Sequence, residues 1–168
     1  MLQLRCTGKV QKGLGLKASQ LSSIKKPDST LGNWYVNLAT IDRRKTLLFM
    51  NERTLLSFII FGVKKASFKN IEIIFKNGLT QLLEIEELKS EVIEKVISEY
   101  SDLEYTKTDS KSLLGNMNDL MSLYKHFIYS DGGLKECSVG EIILQINRTP
   151  QRNIDWSNSI TVTKEILQ

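Results

Sequence analysis

Histidine and cysteine are nearly missing from the sequence. Its 168 residues hold one histidine, His126, and two cysteines, Cys6 and Cys137. Such a chain cannot readily build a zinc site, which takes about four histidine, cysteine or carboxylate ligands, and no metal is expected. It also lacks the imidazole that would activate a serine or cysteine nucleophile, unless His126 serves. That residue adjoins an apolar helical face in Tyr124-Lys125-His126-Phe127, and a packing or surface role is the plainer assignment. Proline occurs only twice and no polar low-complexity tract is present, which argues against a disordered chain. Long apolar runs are missing too. Thr46–Met50 and Leu55–Phe61 are the longest, far short of the ~20 residues of a membrane helix, so no membrane partner is expected. The start, Met1-Leu2-Gln3-Leu4-Arg5, has no charged head followed by an apolar stretch. The expectation is a cytoplasmic protein with reduced thiols. Absent as well are a Gly-x-x-x-x-Gly-Lys-Ser/Thr phosphate loop, a Gly-x-Ser-x-Gly elbow and a His-Glu-x-x-His helix. The Gly13-Leu14-Gly15 stretch lacks the third glycine of a dinucleotide site, and no cofactor is implied.

What the chain does contain is an ordinary globular composition with a lopsided charge. The net +4 conceals +9 over residues 1–65 and −5 over residues 66–168. Glu84–Glu104 alone holds eight acids against Lys89 and Lys95. Three readings fit: two solvated faces, a basic surface for an anionic partner, or self-association with acid facing base.

One domain over residues 1–168 is expected, mainly β and basic up to residue 65 and mainly α and acidic after it. Met1–Thr7 alternates and reads as a strand, and Lys9–Leu14 as a short helix. Lys17–Gly32 reads as a long, mobile loop, with Pro27-Asp28-Ser29 as its turn signal. Strands are predicted over Trp34–Ile41, Lys45–Met50 and Leu55–Phe61, joined by Asp42-Arg43-Arg44 and Asn51-Glu52-Arg53. The last run also suits a buried helix, but its β-branched and aromatic residues favour a strand. Helical spacing predicts helices near Phe68–Ile85, around Val92–Ile97, and after a cap at Asp109 or Ser110, following a short fifth strand over Leu103–Thr108. Further helices follow the Ser138-Val139-Gly140-Glu141 capping box and cover Asn158–Leu167. The expected fold is α+β: an antiparallel sheet of about five strands with helices packed on one face.

Two polar clusters are candidate sites. Arg43, Arg44 and Lys45 make a compact cation at a turn, with Arg53 from the next turn, and can grip phosphates. Trp34 or Tyr35, on opposite faces of a strand, can stack on a base if its face is open. The plainer reading is a solvated hairpin with core aromatics. Thr108, Asp109, Ser110, Lys111 and Ser112 lie where a strand should enter a helix, whose free amides bind anions. Simple capping by Asp109 or Ser110 is the plainer reading. The acids Asp102, Glu104, Asp109 and Asp119 form a weak nuclease-like pattern without fixed spacing.

An ordered set of segments carries a resemblance. These are Leu4-Arg5-Cys6-Thr7, Leu31–Leu38 (LGNWYVNL), Asp42-Arg43-Arg44-Lys45, Thr108–Asp119 (TDSKSLLGNMND) and Ile146–Arg152 (INRTPQR). Together they resemble an uncharacterised bacterial family, a domain of unknown function, over essentially the whole chain. The resemblance implies a bacterial origin and no mechanism.

The functional expectation is a binding module whose basic first half meets a nucleic acid or an acidic protein. An accessory protein of a mobile-element or defence locus would suit it. The alternative is an enzyme on a phosphate-containing substrate, of nuclease or nucleotide-processing type, using the 106–112 segment with Asp109 and Asp119. With no export signal, Cys6 and Cys137 should be free thiols. The intact mass should therefore not change on reduction. A gain of about 2 Da would reveal a disulfide.

Overall fold

The computed structural model describes all 168 residues. The chain runs β1 (Leu2–Cys6), α1 (Gly8–Leu14), β2 (Trp34–Ile41), β3 (Arg44–Asn51), β4 (Ser57–Phe61), α2 (Lys65–Phe68), α3 (Ile71–Ile85), α4 (Ser90–Ser98), β5 (Leu103–Lys107), α5 (Lys111–Ser130), α6 (Val139–Asn147) and α7 (Ser159–Leu167). Short 3-10 turns cover Ala18–Gln20 and Arg152–Ile154. No helix is long and apolar enough to cross a membrane.

The five strands form one sheet in the order β4-β3-β2-β1-β5. The meander β2–β3–β4 is antiparallel as expected. The sheet as a whole is mixed, which corrects the antiparallel expectation: β1 pairs in parallel with both β2 and β5. Long connections carrying helices make parallel neighbours possible, and alternation within a strand does not encode direction. One strand from the second half of the sequence thus completes a sheet begun by the first.

Helices cover both faces rather than one. Leu4, Trp34, Val36, Leu47, Phe49 and Phe58 point to a core shared with α1, α3 and α4. Tyr35, Leu48, Met50 and Ile59 point the other way, against Met117, Met121 and Tyr124 of α5 and Ile142 and Ile146 of α6. The run Leu47-Leu48-Phe49-Met50 is wholly buried because each side chain meets a core on its own side. An unbroken apolar run is the usual signature of a strand covered on both faces.

Local chemistry sets the turns. Asp42 and Arg43 both take positive φ, 47° and 64°, which matches the type I′ twist of a two-residue hairpin. At the next turn the Asn51 side chain accepts from the amides of Arg53 (2.9 Å) and Thr54 (3.0 Å). Of the two expected caps for α5, Ser110 is the one used: its hydroxyl accepts from the Leu113 amide at 3.2 Å. Ser138 and Asn158 cap α6 and α7 in the same way. The long 17–32 loop is fastened to the sheet and to the end of α4. The Ser22 amide donates to the Tyr105 carbonyl (2.7 Å), the Lys25 amide to Gln3 (3.0 Å) and Thr30 to Glu99 (2.6 Å).

The cysteines are free, and they sit on opposite sides of the sheet: Cys6 in the first core, Cys137 against the second. Burial pushes the Cys6 thiol up from about 9 to about 12. Tyr35 rises from 10 to about 12, first through burial and then through its hydrogen bond to Asp109. Tyr100 and Tyr124 are raised further by burial. Groups that hold protons more tightly when folded contribute stability that is complete below their unfolded values. The stability these four groups contribute should therefore decline as the pH climbs above about 9, up to and beyond about 12. The part of the 295 nm tyrosine absorbance due to the buried Tyr35, Tyr100 and Tyr124 should rise only with loss of the circular dichroism signal. Buried tyrosines that ionise near 10 while the fold persists would contradict this packing.

Candidate nucleic-acid interface

The Asp42–Arg43 turn is held from behind. The Asp42 amide donates to the Tyr129 hydroxyl (2.8 Å), and its carboxylate accepts from the Leu134 amide (2.9 Å). Arg43, Arg44 and Lys45 project from this fixed turn and are exposed. Arg44 lies 5.9 Å over the Phe61 ring. Between the turn and the end of β4 is a groove of about 450 Å³, lined by Arg43, Arg44, Lys45, Gly62, Val63 and Lys64.

A second groove, about 570 Å³, adjoins it through Lys45 and is lined by Lys9, Lys12 and Lys65 as well. Its shape depends on Gly13. A β-carbon there would lie 2.6 Å from the Phe68 ring, so only glycine lets α1 pack this closely beside α2. Together the grooves collect seven cations from three separate segments. No acidic side chain lines either one, and none of the seven is in an ion pair within 4.0 Å. Acids border only the other side of the turn, where Asp42 and Glu136 lie near Arg43, Arg44 and Lys135.

Two residues expected at this site lie elsewhere. Trp34 is fully buried and its indole donates to the Tyr100 hydroxyl at 3.0 Å, so it cannot stack on a base. Arg53 stands at the other end of β3, about 25 Å away at 3.4 Å per residue. There it donates to the Thr30 carbonyl at 2.6 Å. Lys9, Lys12, Lys64 and Lys65 join the site instead. Their only signal in the sequence is the excess charge of the first 65 residues.

Thr108–Ser112 forms a different centre, built around Arg5. The Arg5 guanidinium is buried between Tyr35 and Thr106 on the neighbouring strands. Its Nε donates to Glu52 at 3.1 Å and lies 3.7 Å from Asp109. Nη1 reaches Gln3 (3.2 Å) and Thr106 (3.3 Å), and Nη2 the Lys25 carbonyl (3.3 Å). The Tyr35 hydroxyl donates to the Asp109 carboxylate and accepts from the amides of Asp109 (3.4 Å) and Ser110 (3.2 Å). Ser112 and Asn116 accept from the Asn153 side chain at 3.2 and 2.9 Å. Several groups that would hold an anion here are thus already engaged with the protein. Lys111 and Ser112 remain exposed. The centre is also remote from the basic grooves. Ser110 begins α5 beside Tyr35, Tyr129 ends it beside Asp42, and a helix of 20 residues spans about 30 Å. Asp102, Glu104, Asp109 and Asp119 do not gather: no group of three or more histidine, cysteine or acidic side chains is placed to hold a metal ion.

Residues 3–162 match the domain of unknown function DUF6933, and the chain belongs to that family. No curated protein and no solved structure matches it.

Proposed function

We propose that this DUF6933 member is a binding module that holds the phosphate backbone of a nucleic acid along the basic end of its sheet. One observation carries the reading: seven exposed cations line two joined grooves with no acid among them and no ion pair to neutralise them. Side chains that a protein keeps for stability are normally paired or scattered. A contiguous unpaired set raises the local potential and attracts polyanions. The fixed turn presents Arg43 and Arg44 with little ordering left to do on binding.

The surface favours backbone contact over base reading. Trp34, Tyr35, Phe49 and Phe58 are interior, the exposed Trp156 lines neither groove, and of the exposed aromatics beside the turn Phe61 sits under Arg44 and the Tyr129 hydroxyl is taken by the Asp42 amide. Affinity should then come from released counterions and show little sequence preference.

Fluorescence anisotropy with single- and double-stranded probes at two salt concentrations tests this. Binding should appear at low salt and weaken steeply as salt rises. Changing Arg43→Ala and Arg44→Ala together should reduce the affinity several-fold and make the salt slope shallower by about two, one unit per lost phosphate contact. The melting temperature should stay within about a degree, because exposed turn charges contribute little to stability. Absence of binding at low salt, or binding indifferent to the double change, would refute the reading and turn attention to an acidic protein.

A further inference from the structure

The outer edge of the sheet lies in a groove and not on open surface. β4 pairs with β3 through alternate residues. The Leu56 carbonyl accepts from the Asn51 amide at 2.8 Å, and Phe58 and Ile60 turn their backbone groups to β3 in the same way. Ser57, Ile59 and Phe61 turn theirs outward. The Asn147 side chain closes Ser57, accepting from its amide at 2.9 Å and donating to its carbonyl at 2.8 Å. Nothing does this for Ile59, whose N–H and C=O make no hydrogen bond outside the sheet. Ile59 is 3% exposed, with α3 on one side and α6 on the other, so this donor and acceptor lie on the groove floor. Buried peptide groups are nearly always satisfied, and an unmet pair is destabilising.

The groove above the pair holds about 270 Å³. Ile60, Phe61, Leu82, Ile85 and Ile143 stand among its walls, no charged side chain lines it, and Gln81 is its one polar side chain. Two glycines line it for different reasons. At Gly78 of α3 a β-carbon would lie 2.5 Å from the Phe58 ring, so packing requires glycine there. At Gly140 of α6 no such need exists: its φ is not positive, and a β-carbon would meet no atom within 4 Å. Glycine is a poor helix former, and at Gly140 the effect of the missing side chain is to keep the groove clear.

We propose that this groove is a small-molecule site, and that its ligand is a compact, uncharged ring carrying a cis amide. In an extended residue the outward N–H and C=O point the same way. A ring amide offers the complementary pair. Its C=O accepts from the Ile59 N–H and its N–H donates to the Ile59 C=O, as a residue of a neighbouring strand would. An open-chain trans amide points its two groups apart and cannot make both contacts. The apolar walls take the rest of the ring. An ionised ligand is rejected, because it would lose its water and find no opposite charge.

Caprolactam, an apolar ring closed by one cis amide, is the probe. Titrated into the isotopically labelled chain, it should shift the Ile59 amide signal and slow its hydrogen exchange, with a dissociation constant in the millimolar range open to so small a molecule. N-methylcaprolactam keeps the ring and the carbonyl but has no N–H, and should bind about tenfold more weakly, the value of one hydrogen bond left unmade. Gly140→Leu fills the groove and should weaken caprolactam by a similar factor with an unchanged circular dichroism spectrum. If that variant fails to fold, the comparison of the two lactams on the natural chain still decides. An Ile59 amide that does not respond at about 50 mM caprolactam, where a millimolar site is nearly full, would overturn the proposal. So would equal binding of the two lactams, or undiminished binding to folded Gly140→Leu. Caprolactam is neutral and the groove contains no cation of the basic surface, so this result stands apart from the nucleic-acid test.

Discussion

The buried guanidinium of Arg5 is the constraint around which the rest of the chain is arranged. It lies on β1, the strand inserted in parallel between β2 and β5, where an unpaired charge would be strongly destabilising. Its partners come from five places: Gln3 on its own strand, Thr106 on β5, Lys25 in the long loop, Glu52 in the β3–β4 turn and Asp109 before α5. Glu52 passes the connection on by accepting from the Asn33 amide at 3.0 Å. Removing any acid partner would leave the charge less compensated, so loop, turn and helix start are ordered together.

That requirement divides the molecule. Near Arg5, several of the polar groups offered by the loop, the turn and the start of α5 are taken up in holding the fold. At the end marked by the Asp42–Arg43 turn, the cations have no such partners. The turn itself is secured by neutral contacts through Tyr129 and by the Asp42 carboxylate, which leaves Arg43 and Arg44 free for a ligand.

Much of this was legible beforehand. Alternation located the meander, and side-chain oxygens at Ser110 and Ser138 marked helix starts, because both signals are local. The direction of β1 and β5 was not, since it follows from where connections cross, and a two-residue period is blind to it. The unbroken apolar run Leu47–Met50 carries the signal of burial on both faces. Of the candidate site, Arg43, Arg44 and Lys45 were found as a turn because they are consecutive. Lys9, Lys12, Lys64 and Lys65 meet them only through packing at Gly13 and Phe68. Alternation separates Trp34 from Tyr35 without revealing that both faces are covered, so the burial of Trp34 is invisible in the sequence. Arg53 is close to Arg43 in sequence, but its turn lies a full strand away in space.

The most direct test of the interface is an amide chemical-shift map of the isotopically labelled chain titrated with a short nucleic-acid duplex at low salt. A surface at the basic end predicts perturbations at Lys9, Lys12, Arg43–Lys45, Lys64 and Lys65, with Thr108–Ser112 undisturbed some 30 Å away along α5. Perturbations centred on Thr108–Ser112, or spread evenly over the surface, would contradict it.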